Sequence, residues 1–131
     1  MAPPRINAIY NELSQMTAEQ CPNACSVLLR VFLELTVDHY IEENRLMSEK
    51  AARDKPLAFR LKQVTAHLQE NGRIPSKLKK AIDQIADGPT VLAPGISTFN
   101  QYVHNSYLFP KARDLYMAWD ELAPLMESLW P

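Results

Sequence analysis

One stretch constrains this chain more than any other: "PNACSVLLRVFLELTVDHYIEEN", residues 22–44. Ala24, Val27, Leu28, Val31, Phe32 and Leu35 recur there at three- and four-residue intervals, while Arg30, Glu34, Glu42 and Glu43 fall on the opposite side. That spacing predicts a long helix with a broad apolar stripe, begun at Pro22 and running to about Asn44. The rest of the chain repeats the theme. Ile6, Ile9, Tyr10, Leu13 and Met16 predict a short first helix; Leu57, Leu61, Val64 and Leu68 predict another, stopped by "ENG"; Ile74, Leu78, Ile82 and Ile85 predict one with Pro75 near its start and Gly88-Pro89 at its end.

Between the long helix and Leu57, "RLMSEKAARDKP" is polar and ends in Pro56, so it reads as a loop or a frayed extension. "DGPTVLAPGIS" carries two glycines and two prolines, which is loop chemistry. A short helical segment follows on Phe99, Tyr102 and Val103. Pro110 then opens a final helix with Leu115, Trp119, Leu122, Met126 and Leu129 along one face, widened by Tyr116 and Met117. Period-two alternation is missing over any useful length. Six helical segments therefore predict an all-α fold, a single bundle of about five or six helices, in which the long second and last helices pack together with the third and fourth.

At 131 residues the chain reads as one domain, 1–131, able to bury a core without disulfides or metal, with residues 1–4 a flexible lead-in. Its end at "ESLWP", directly after an apolar helix face, is compatible with a domain cut from a longer protein. Fourteen basic and fifteen acidic residues leave no field of one sign to recruit nucleic acid or membrane. "VLLRVFLELTV" is broken by Arg30 and Glu34 and falls well short of the roughly 20 residues a membrane span needs. Cys21 and Cys25 are a poor disulfide pair and at most half a zinc site, which points to a reducing, cytoplasmic setting.

Chemistry is constrained largely by what the composition lacks. Three glycines build neither a P-loop nor a dinucleotide fingerprint. His39, His67 and His104 fall on three different segments without a paired ligand spacing, so no metal and no cofactor is expected. Asp38-His39 reads as a helix-face pair. Lys77, Lys79 and Lys80 read as a solvated face, although with Arg73 they are the residues a small nucleic-acid-binding regulator would use.

What remains is "FNQYVHN", residues 99–105. In a helix Asn100 and His104 are four apart and share a face, where both reach one polar group. With "ACSVLLRVFLELTVDHYIEEN", "LAFRLKQVTAHLQENGRIPSKLKKAID" and the tail "ARDLYMAWDELAPLMESLW", this stretch resembles the HEPN (higher eukaryotes and prokaryotes nucleotide-binding) helical domains of bacterial antiphage and toxin-antitoxin systems. The resemblance implies a dimer, with an arginine and a histidine acting on the scissile phosphate and ribose 2′-hydroxyl of RNA without metal. Asn100 and His104 match the polar residue and the histidine. Ser97, Thr98 and Phe99 occupy the positions of the arginine, and a phosphorane-like transition state needs a cationic donor. Arg113 and Lys111, at the start of the final helix, are the replacements within the sequence. Arg60 and His67, seven apart, satisfy the spacing literally but on the wrong helix.

The leading expectation is thus a non-catalytic HEPN-like module for dimerisation or partner binding in a bacterial defence or regulatory protein. A homodimer, a helical partner or a larger parent protein would be the partner, and RNA would be a further one. Tyr102, Tyr116, Phe109, Trp119 and Trp130 are its aromatic contact candidates. The alternative is a metal-independent endoribonuclease with His104 as acid or base, Asn100 positioning the substrate and Arg113 or Lys111 as phosphate clamp.

Overall fold

The computed structural model describes residues 3–87 and 111–130. The described residues form six helices and no strand: α1 (Pro4–Gln15), α2 (Pro22–Asn44), α3 (Glu49–Asp54), α4 (Leu57–Glu70), α5 (Ser76–Asp87) and α6 (Ala112–Leu129). The fold is an all-α bundle, as expected. Asn100, Tyr102, His104, Phe109, the expected short helix around Phe99, and the Gly88-Pro89 and Pro110 signals lie outside the described residues.

Prolines set the entries. Pro4 and Pro22 sit in the first turns of α1 and α2, where a missing N–H removes no helical bond, and Pro56 is the residue from which α4 begins. Left-handed residues set two of the exits. After α4, Gly72 (φ 69°) turns the chain so that its N–H donates to the Gln69 carbonyl at 3.0 Å and the Arg73 N–H to the Leu68 carbonyl at 2.9 Å. After α2, Arg45 (φ 52°) makes the same paired closure, its N–H reaching Glu42 and that of Leu46 reaching Ile41. Arginine thus occupies a place where glycine carries no steric penalty.

The expectation for residues 45–56 was a loop or frayed extension, and the structure corrects it. Ser48 caps α3, its Oγ accepting the Ala51 N–H at 3.1 Å, and Glu49 leads the first turn. α3 buries no residue, so it carries no apolar stripe; capping and its packing on α2 hold it.

α2 is the axle. At 23 residues it is roughly 35 Å long, and α1, α4, α6 and α3 all pack on it, while α5 completes the bundle against α4 and α6. Leu33 and Val37 of α2, Leu61, Val64 and Leu68 of α4, Ile82 of α5, and Leu122 and Leu125 of α6 are the fully buried aliphatic centre. α2 meets this core along Cys25, Leu29, Phe32, Leu33, Val37 and Tyr40, one position later than the predicted stripe, and Val27 faces solvent. α6 contains Pro124 in its interior, which leaves the Asp120 carbonyl without its ordinary helical donor.

Candidate functional site

Two places concentrate polar chemistry among the described residues. In the first, α4 directs Arg60 against α2. Its Nη1 donates to Asp38 Oδ1 at 2.5 Å, its Nη2 to Glu34 Oε1 at 3.0 Å and its Nε to the Lys55 carbonyl at 3.2 Å. The residue is only 7% exposed. Burial works against its charge, but the bonds to Asp38 and Glu34 more than compensate, holding the guanidinium above its ordinary range. Arg30 lies 4.0 Å from the second oxygen of Glu34, extending the cluster along α2. The cluster borders an open groove of about 810 Å³ walled by α2, α3 and the turn between them.

In the second, Tyr40 of α2 and His67 of α4 share a hydrogen bond at 2.6 Å between the hydroxyl and Nδ1, the rings meeting edge to face at 5.5 Å. Asn71 lies 3.3 Å from His67 Nε2. Burial raises the Tyr40 hydroxyl above the usual phenol range, while the neighbouring Arg73 guanidinium pulls it down. Arg73 in turn bonds the Ser128 carbonyl, tying the α4–α5 turn to the end of α6.

The pair Arg60 and His67 therefore does not form one site. Each faces α2, but Arg60 is satisfied by carboxylates and His67 by a phenol. Asp38 and His39, read as a helix-face pair, also part company: Asp38 takes Arg60, while His39 stacks on Trp130 at 5.5 Å. Of the other candidates, Lys111 is the exposed residue before α6, and Arg113 is exposed on its first turn. Neither makes an ion pair among the described residues. Trp119 is half-buried in an aromatic cluster with Tyr10 at 6.1 Å and Phe32 at 5.9 Å. Trp130 packs against the core edge. Lys79, one of the three strip lysines, is held by Asp83 at 2.6 Å, whereas Lys77 and Lys80 are exposed.

Sequence reasoning passed over Tyr10 and Glu19 as contact residues. The spacing puts Tyr10 on the apolar stripe of the first helix, but it is 46% exposed. Tyr116, 47% exposed, donates its hydroxyl to Glu19 at 2.7 Å, linking the α1–α2 turn to α6. The signal available for Tyr10 was its position at the stripe's edge, one residue beyond Ile9.

No cluster of three or more histidine, cysteine or acidic side chains suited to a metal occurs among the described residues, and no described helix is long and apolar enough to cross a membrane. Comparison of the chain with protein-family models, curated proteins and solved structures finds no match.

Proposed function

We propose that this chain is a non-catalytic, HEPN-like helical module that works by binding, either dimerising or holding a partner, within a bacterial defence or regulatory protein. The observation that supports this reading is the saturation of Arg60. It is the arginine of the one Arg–His spacing match among the described residues, and Glu34 and Asp38 already neutralise it. A guanidinium held that way has no charge to lend a phosphate in its transition state. Half-exposed aromatics at Tyr10 and Tyr116 supply the side chains that dominate protein contacts.

Incubation with single-stranded RNA and a chelator tests the proposal. The expected result is intact RNA with the wild-type chain and with His104→Ala alike. Chelator-resistant cleavage by the wild type that vanishes in His104→Ala would overturn it. Light scattering at two protein concentrations separates the dimer from a module that waits for another protein.

One observation favours a second reading. Arg113 and Lys111 are exposed and free of ion pairs among the described residues, which is what a phosphate clamp for a ribonuclease using His104 and Asn100 requires. Arg113→Ala added to the same assay decides whether that cation takes part.

A further inference from the structure

α1 and α6 both lie on α2 but pack little on one another, and a furrow runs between them with α2 as its floor. Tyr10 and Trp119 face each other across it and form a saddle that divides it into two hollows. The first, about 280 Å³, is apolar: Leu29 lies beneath it and Leu13, Met16 and Leu115 line its sides. The second, about 750 Å³, lies over His39 and is flanked by Ile6, Met126 and Trp130. From Leu29 to His39 is ten residues of α2, so the hollows are roughly 15 Å, or three helical turns, apart.

The furrow is edged with negative charge. Glu43 and Glu127 line the second hollow, and Glu19 holds the Tyr116 hydroxyl at the first. Asp120 shares the exposed face of α6 with Tyr116 and Glu127, at spacings of four and seven residues, and Arg113 is the cation of that face. On the α1 side the lining polar residues, Asn7 and Ser14, are uncharged.

We propose that this furrow is the docking site for an amphipathic helix of a partner protein, one whose apolar face is flanked by lysine or arginine. The proposal rests on the partner-binding reading above and names the partner's chemistry. Two large aliphatic anchors about eleven residues apart fall on one helix face and match the two hollows, with small residues between them to clear the Tyr10–Trp119 saddle. Charge complementarity selects the basic helix. It also disfavours a second copy of this chain, because a two-fold contact would set this acidic rim against itself.

The test uses the whole chain and three synthetic helical peptides about 18 residues long, roughly 27 Å as a helix. One carries two leucine anchors, alanines between them and lysine flanks; the second has glutamate flanks; the third keeps lysine but replaces the leucines with serine. By titration calorimetry the first should bind at least about tenfold more tightly than either other, and added salt should weaken it. Asp120→Lys with Glu127→Lys, both exposed, should reverse the preference between the first two. Equal binding of lysine and glutamate peptides, undiminished binding of the serine peptide, no binding, or a dimer that the double variant dissociates would each overturn the proposal. Chelator-resistant RNA cleavage would overturn the underlying reading, whereas peptide failure with intact RNA overturns this inference alone.

Discussion

Arg60 and Asp38, twenty-two residues apart in sequence, meet at 2.5 Å where α4 crosses α2, and Glu34 one turn earlier takes the second terminal nitrogen of the guanidinium. The contact fixes the rotation of α4 about its axis, because Leu57, Leu61, Val64 and Leu68 reach the core only when Arg60 faces α2. Removing Arg60 leaves two carboxylates facing one another. Arg60→Ala should lower stability by about 2 kcal/mol, below the range for fully buried pairs because Glu34 and Asp38 are partly solvated. Adding Glu34→Gln and Asp38→Asn should recover part of that loss. Urea unfolding of the wild type, Arg60→Ala and the triple variant checks both statements.

Arg45 closes α2 with φ 52°, where a side chain crowds the following carbonyl. Arg45→Gly should stabilise the fold by about 1 kcal/mol, with the paired closure to Glu42 and Ile41 retained. Thermal unfolding under matched conditions measures it. A lower melting temperature would mean that the Arg45 side chain makes a stabilising contact outweighing the backbone strain.

Thr36 and Thr65 are both fully buried, and they predict opposite outcomes. The Thr36 hydroxyl finds no partner among the described residues, whereas that of Thr65 donates to the Lys62 carbonyl at 3.0 Å and lies 3.2 Å from Asp83. Replacing an unsatisfied hydroxyl by a methyl of similar shape removes a desolvation penalty. Thr36→Val should therefore raise stability by about 1 kcal/mol and Thr65→Val lower it by a similar amount. Denaturant midpoints of the two variants, read against the wild type, decide the sign.

The Glu19–Tyr116 bond gives a dependence on acidity. The Tyr116 hydroxyl donates to the Glu19 carboxylate and holds that group below its ordinary range, while the same bond raises the Tyr116 phenol. A carboxyl depressed in the folded state contributes stability above its unfolded value and loses it as pH falls through the folded one. The link between the α1–α2 turn and α6 should therefore loosen under acid, below the ordinary glutamate range, and again in alkali once the raised Tyr116 phenol ionises and can no longer donate. Carboxyl carbon NMR should place the Glu19 midpoint below the ordinary glutamate range, and Tyr116→Phe should raise it toward that range.

Much of this architecture was readable from residues alone, for reasons that differ by element. α4 was legible in full because its apolar residues are sparse: only one rotation buries Leu57, Leu61, Val64 and Leu68, and Gly72 marks the stop. α2 was legible in extent, Pro22 to Asn44, but not in rotation. Its apolar arc, spanning Val27, Leu28, Leu29, Val31, Phe32, Leu33 and Leu35, is broad enough to hold two phases of the stripe, and neighbours on several sides chose Leu29 and Leu33 over Leu28 and Val31. α3 escaped because a helix capped by Ser48 and burying no side chain leaves no periodic trace. The ion cluster at Arg60 escaped for another reason. Its partners are supplied by a crossing between helices, and nothing local to "LAFRLKQ" reports which carboxylates will face it. The furrow likewise belongs to the spacing of α1 and α6 on α2, a distance no single segment encodes.

Pro124 has a mechanical corollary. A helix with one rung missing behaves as two rods on a common pin, stiff on each side and compliant at the joint. Leu115, Ala118 and Leu122 clamp the leading rod to the core, and Leu125, Met126 and Leu129 clamp the trailing one, which ends at Trp130 against His39. With both rods anchored, the joint lets each lie on the core at its own angle.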